Sequence, residues 1–318
     1  VPRPGPDATV ETEEARCAVC GGAEARAVGR GPDFEYATCA NEFEYAACTR
    51  CGHLYLRNRP VAAELSRIYP ADYGNYEASR SASLTFRIKN RLDRRAVSRL
   101  ARRAPAMRRV LDVGCADGRL LDVCRAALPG AEALHGVEIS EDAARGARSR
   151  GYDVTIGTID EVDVPLDAYD LVFLQQVVEH VYAPDRVVAK LAKSLAPRGL
   201  LVIDTPSIEG LDFRLFKRRY WGGYHIPRHF NLFSERALRS LCDAAGLEHV
   251  ETRYTPQPIH WAWSFRHWLA DHGAPPWTWR WLNLRNAAAM GIFTLTEVAS
   301  GLLTRRMSNL RVIARRPA

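Results

Sequence analysis

The chain has 318 residues, 47% of them hydrophobic and 25% charged, with a formal net charge of +7. This is ordinary for a globular protein, and the length accommodates one α/β domain of roughly 200–250 residues plus a smaller module. Eight cysteines are too few for a disulfide scaffold, and no apolar leader precedes a cleavage site, so a reducing, cytoplasmic setting is expected.

Residues 1–16 are rich in Pro and Glu without a period and read as a disordered tail. Cys17-Ala-Val-Cys20-Gly-Gly is then answered by Cys48-Thr-Arg-Cys51-Gly-His. Each is a C-x-x-C followed by glycine, a knuckle whose backbone amides hydrogen-bond thiolates. Two knuckles supply four soft ligands, Cys17, Cys20, Cys48 and Cys51, for a closed structural zinc site, with a redox dithiol as the alternative. The gap of 27 residues leaves room for a strand pair around 34–45, and Cys39 and His53 are expected to be bystanders. A zinc-binding module over 17–60 is followed by a connector, 61–83, comprising a short helix over 61–69 and the aromatic and polar run 70–76. That run is expected to lie over the mouth of a neighbouring site.

The net charge has a local source. Residues 87–109 hold ten Arg or Lys against the single acid Asp93. Ile88, Leu92, Ala96 and Leu100 recur every four residues, so this is an amphipathic helix with arginines around an apolar stripe. It is either a solvated face or a site for a phosphate-bearing partner.

Val110, Leu111 and Val113 form a short buried strand, followed by the turn Gly114-Cys-Ala116-Asp-Gly118 and by apolar residues at helical spacing. Strand, glycine turn and helix make the first unit of a doubly wound sheet, in which the backbone passes close to a ligand. A second strand, 134–138, ends in Glu138, whose carboxylate can accept both hydroxyls of a ribose. Dinucleotide binders receive a pyrophosphate on G-x-G-x-x-G. Here Asp112 stands two residues before Gly114, which disfavours pyrophosphate and suits a positively charged ligand.

This pattern resembles the first motif of the class I S-adenosylmethionine (SAM) methyltransferases, with Ala116 in place of the middle glycine. The resemblance implies a Rossmann-like α/β fold with a seven-stranded sheet and SAM as cofactor, held by Asp112, Gly114, Ala116, Gly118 and Glu138. It covers roughly residues 17–255, with the methyltransferase domain beginning near residue 84 and running to 318. Residues 153–156 read as strand three. In the resembled family the loop after it meets the adenine, which implies ring packing by Ile159 and an acceptor at Asp160, the ordinary alternative being a helix cap. Strand four is 170–174, a helix spans 184–195, and strand five is 200–203. A helix capped by Ser234 leads to strand six at 248–254, and the last strand, 309–315, inserts antiparallel in this family.

Methyl transfer needs a positioned nucleophile, sometimes a base, and exclusion of water. After strand four comes Gln175-Gln176-Val-Val-Glu179-His180. By the resemblance Gln176 touches the cofactor. Glu179 and His180 resemble the pair of deoxysugar C-methyltransferases, but Val178 stands where those enzymes have a tyrosine, so their mechanism does not carry over intact. His225 and His229, in the glycine-rich loop Tyr220–Phe230 after strand five, are the other candidate bases and the expected acceptor contacts.

An insert over about 256–305 carries six of the seven tryptophans and an apolar helix, 287–303. Glu297 and three Ser/Thr positions argue against a membrane span. A lid, a dimer face or an interfacial membrane contact through 261–303 are the readings of this insert.

The chain has neither the Asn/Asp-Pro-Pro-aromatic run of base-amine methyltransferases nor a cysteine in 171–206 for cytosine C5 attack. The expected acceptor is therefore a small molecule, sugar-containing or a natural-product intermediate and possibly nucleotide- or phosphate-linked, with O-transfer ahead of C- or N-transfer. A zinc-containing ribosomal RNA methyltransferase or RNA-binding protein is the alternative.

Overall fold

The computed structural model describes residues 8–69, 84–103, 107–284 and 286–318. The N-terminal part holds β1 (Thr12–Glu14), β2 (Ala25–Gly31), β3 (Phe43–Cys48), β4 (Leu54–Leu56), β5 (Asn58–Pro60) and the single turn α1 (Leu65–Ile68). Strand β1 lies where a disordered tail was expected, paired antiparallel with β5. It has no apolar alternation to announce it. Ion pairs from Glu13 to Arg59 and from Glu14 to Arg57 hold it instead, with Val10 and Ala15 buried at its ends. The strand pair expected around 34–45 is displaced to β2 and β3. Asp33 takes the amides of Tyr36 and Thr38, both at 3.1 Å, and makes residues 33–38 a turn. The aromatic connector run 70–76 lies outside the described residues.

The rest of the chain runs α2 (Leu84–Ala101), β6 (Arg109–Val113), α3 (Arg119–Ala127), β7 (Ala133–Glu138), α4 (Glu141–Arg148), β8 (Asp153–Ile156), β9 (Tyr169–Gln175), α5 (Pro184–Ser194), β10 (Leu195–Pro206), α6 (Leu211–Phe216), β11 (Asn231–Leu232), α7 (Glu235–Ala244), β12 (Glu248–Thr255), α8 (Pro258–Asp271), α9 (Ala287–Thr304) and β13 (Asn309–Arg315). Seven strands form one sheet in the order β12-β13-β10-β9-β6-β7-β8. Strand β13 runs antiparallel to both neighbours, and the remaining described pairings are parallel. This is the expected Rossmann-like fold. Strand order reverses between β6 and β9, so a ligand crevice forms at their carboxyl ends. The central strands are apolar on both faces because helices cover both: Val172, Leu174, Leu201 and Ile203 pack under α5 and α7, while Val110, Leu171 and Val202 pack under α2 and α3.

Two features depart from a simple chain of units. Strand β11 leaves the part of the chain that builds the seven-stranded sheet and pairs with β4, completing the four-stranded N-terminal sheet β11-β4-β3-β2. The stripe expected on the arginine-rich helix faces the protein only at its carboxyl end. There Val97 and Leu100 are buried, whereas Ile88 and Leu92 are 52% and 56% exposed.

Candidate active site

The turn after β6 is pinned to β7 by the amides of Gly114 and Cys115, which both donate to the Val137 carbonyl at 2.8 and 3.1 Å. Gly114 has φ +75, and a Cβ there would meet Val177 at 2.6 Å, so the turn admits only glycine at this position. Ala116 sits at φ 48. It keeps the left-handed backbone a glycine would adopt, at a conformational cost of about 1 kcal/mol. Gly118 (φ +86) caps α3 and packs against Tyr152 and Ala147. Glu138 accepts the Ala116 amide at 2.9 Å and the Ser140 amide at 2.8 Å, one on each oxygen. Asp112 is buried behind the turn, and burial pushes its carboxyl up to about 7 against the pull of the Arg119 guanidinium.

On the β8 side the arrangement differs from expectation. Ile159 is 3% exposed and packs into the main core, so its side chain offers no face to a ring. Thr158 is the residue that caps the local turn, its hydroxyl donating to Glu161 at 2.9 Å. Asp160 is exposed, and Lys190 reaches the carbonyls of Ile159 and Asp160 at 2.8 and 3.2 Å. Gln176 follows β9 with φ 53, donating from its backbone to Asp204 and from its side chain to Asn309 at 2.9 Å.

The loop after β9 folds across Gly114 through Val177, and its next residues meet the loop after β10. His180, His225 and His229 converge: ring centroids are 4.6 Å apart for His180 and His229, 5.0 Å for His225 and His229, and 6.2 Å for His180 and His225. His229 Nδ1 lies 2.9 Å from the Gly223 carbonyl. A carbonyl only accepts, so Nδ1 carries the proton and Nε2 offers its lone pair. His180 Nδ1 sits between the Tyr69 hydroxyl at 2.9 Å and the Arg228 carbonyl at 3.1 Å. Desolvation pushes His180 down to about 3 and His229 well below its ordinary value. Glu179 is fully buried beside them. One of its oxygens accepts from Thr205 at 3.0 Å, the other has no protein partner, and burial raises its carboxyl to about 8.

Among the residues organising this cluster, Glu35 and Tyr45 come from the N-terminal part and had no signal in the sequence. Glu35 meets His225 Nδ1 although 190 residues separate them. Trp263 of α8 stacks on the same ring at 5.8 Å and 10°. His225 has φ 42, a left-handed conformation that a histidine adopts only where surrounding contacts over-determine it. Arg228, in the same loop, is fully buried and committed. It pairs with Asp33 at 2.9 and 3.2 Å and donates to the carbonyls of Ile68 and Ile226. Asp33 is consequently held below the usual carboxylate range, although burial alone would raise it. Tyr45 secures the loop further by donating to the Tyr224 and His229 carbonyls at 2.8 and 2.7 Å.

A methyltransferase-domain family model matches residues 86–252, just over half of the chain. The chain belongs to the methyltransferase-domain family. Its curated relatives include the trans-aconitate 2-methyltransferase of Acidovorax ebreus, 31% identical over 139 residues, covering 43% of this chain and 49% of the relative. The ubiquinone biosynthesis O-methyltransferase of Bradyrhizobium diazoefficiens is 32% identical over 113 residues, or 34% and 43% of the two chains. The chain thus spans about half the length of the curated relatives it matches. Among solved structures, phosphoethanolamine N-methyltransferase 2 of Haemonchus contortus, in complex with SAM, superposes with a TM-score of 0.53 at 15% identity. That match covers 83% of this chain and 63% of the other, and it shares the fold. The glycine turn and Glu138 therefore belong to a class I SAM-dependent methyltransferase domain.

In this chain the four expected cysteines meet at one point, all sulfurs within 4.8 Å. Cys17 and Cys51 are 3.4 Å apart and Cys20 and Cys48 3.5 Å, near the ~3.8 Å edge of a tetrahedron with ~2.3 Å metal–sulfur bonds. Gly21 and Gly52 close the knuckles at φ 70 and 77. Burial works to raise the Cys48 thiol, but the amides of Cys51 and Arg50 and neighbouring thiols bring it down to about 7. The donor set, spacing and turns fit a structural zinc ion. Cys39 lies outside the set, and the His53 ring contacts Asn231 at 3.1 Å.

Proposed function

We propose that this chain transfers a methyl group from SAM to a hydroxyl of a small acceptor, a sugar-containing or natural-product intermediate, and that a structural zinc ion held by Cys17, Cys20, Cys48 and Cys51 supports the acceptor side. The observation that carries the reading is the meeting of His180, His225 and His229 beside the glycine turn, with Glu35 on Nδ1 of His225. The names of the two curated relatives fit a small acceptor, and one of them specifies O-transfer.

When bound, SAM supplies an activated methyl group on a sulfonium. Asp112, Gly114, Ala116, Gly118 and Glu138 hold that cofactor, Glu138 through the ribose hydroxyls. His180 and His229, pushed far down by desolvation, take up protons poorly. His225, with a carboxylate on Nδ1, is built to receive the acceptor's hydroxyl proton at Nε2 while Glu35 stabilises the resulting imidazolium. Glu179, fully buried, and His180 stand beside it. The basic residues of α2, with Arg87, Arg91, Arg94, Arg95 and Arg99 exposed, suit a phosphate carried by the acceptor. The same arginines are what favours RNA as the second reading.

Calorimetry should show SAM binding, and methyl incorporation should be followed over sugar and nucleotide-linked hydroxyls. His225→Ala is expected to lower turnover by ~10²–10⁴ with cofactor affinity intact, and Glu35→Gln to lower it by a smaller factor, again with cofactor affinity intact. Binding of NAD in place of SAM, or full activity of His225→Ala, overturns the proposal. Methylation of ribosomal RNA, with affinity falling steeply in salt, would establish the second reading instead.

A further inference from the structure

Helix α9 inverts the usual arrangement of a surface helix. Ala288, Ile292, Leu295, Val298, Leu302 and Leu303 are exposed, and their spacing puts them on one stripe of the helical period. Leu295, Leu302 and Leu303 are 71%, 80% and 87% exposed. The opposite face, docked on the protein, carries the helix's single acid. Glu297 is 1% exposed and accepts Trp261 Nε1 at 2.5 Å and the Ser308 amide at 3.1 Å. The threonines contribute no free polar group, because Thr294, Thr296 and Thr304 donate to the carbonyls of Met290, Ile292 and Ser300 one turn back. A helix whose polar groups turn inward and whose aliphatic groups turn outward is not solved for water.

The surroundings specify what covers it. Before the helix, Trp277, Trp281 and Leu284 are 78%, 46% and 50% exposed, and an exposed arginine stands on either side of α9, Arg280 and Arg305. Indole rings and arginines bordering an aliphatic stripe match the layers of a bilayer interface, where amphipathic rings sit at headgroup depth and guanidinium groups meet lipid phosphate. A spanning orientation is excluded by the docking of the inner face. The chain also enters β13 at Asn309, five residues after α9 ends, as part of the central sheet. The helix has 18 residues of mean hydropathy 1.4, of which 28% are buried, so it is long and apolar enough to span but is placed to lie flat.

We infer that the outer face of α9, with Trp277, Trp281 and Leu284, is a binding surface for an anionic lipid bilayer. This inference is independent of which acceptor is methylated. It is tested by flotation of the full chain with vesicles of phosphatidylcholine mixed with phosphatidylglycerol, and with phosphatidylcholine alone. The expected result is binding to the mixed vesicles, weaker binding to the neutral ones, and a loss of at least about 100-fold in partitioning for Leu295→Asp combined with Leu302→Asp. Both positions are exposed, so the double variant should fold, and unchanged S-adenosylhomocysteine binding verifies this. Should it fail to fold, Leu303→Asp alone, compared by the same two measurements, decides. Equal flotation of folded variant and wild type, or none for either, overturns the inference. A dimer of wild type that the variant dissolves, without vesicle binding, overturns it too and assigns the face to a second copy.

Discussion

The glycine turn after β6 and the histidine cluster beyond β9 stand side by side at the carboxyl ends of neighbouring strands, yet they are assembled in opposite ways. The turn is local: Asp112 to Gly118 fold on themselves and are braced by Glu138, within 27 consecutive residues. The cluster draws Glu35 from the N-terminal part, His180 from one loop, His225 and His229 from another, and Trp263 from α8. A site for a common cofactor can be a compact cassette. A site for a particular acceptor is a meeting point of remote segments, and it depends on whatever holds those segments together.

That dependence gives the largest expected effect. Chelation of zinc, or Cys48→Ser, should abolish turnover, since an unfolded N-terminal sheet withdraws Glu35 and the partner of β11 together. S-adenosylhomocysteine binding, measured by calorimetry, should stay nearly unchanged. If cofactor binding is lost in parallel with activity, the two halves are not separable and the comparison fails.

A smaller effect concerns Glu179, inside the cluster. Its folded pKa of about 8 lies above its ordinary value of 4.5, so the folded state holds a proton that the unfolded chain has released. The stability this contributes is complete below about pH 4.5 and is lost as pH rises through 8. Glu179→Gln stays neutral throughout. Denaturant titrations should show wild type losing up to about 5 kcal/mol relative to the variant over that interval. Parallel pH profiles would mean that the carboxylate is satisfied in its charged form. Smallest is Glu138→Ala, which should weaken SAM binding by ~1–3 kcal/mol while leaving the pH profile of turnover in place. A changed profile would mean that the cassette and the cluster share more than a border.

The same division decides what could be read from the residues. Strands at 153–156 and 309–315 stand where their apolar patterning puts them, and the turn at Gly114–Gly118 follows from its glycines. Each of these signals is contained in a dozen residues. Strand β1, held by charge pairs to β5, has no period to detect. Glu35 and Arg228 carry no local signal, because their partners lie 190 and 195 residues away. Ile159 shows a third kind of limit: an apolar side chain after a strand suits a ring face and a core equally, and local turn geometry sent it to the core. In α9 the pattern announced a helix, but only the docked fold reveals that Glu297 is its inner side.

The pairing of β11 with β4 also has a consequence for how the protein is made. His53 and Asn231, which meet across that edge, are separated by 178 residues. The ribosome therefore releases β2, β3 and β4 long before the strand that closes their sheet. Throughout that interval Leu54, Tyr55 and Leu56, all buried in the finished protein, lie along an unpaired edge. At elongation speeds of ~5–20 residues per second, the exposure lasts on the order of ten seconds or more. Chaperone demand during synthesis should therefore fall on this N-terminal edge.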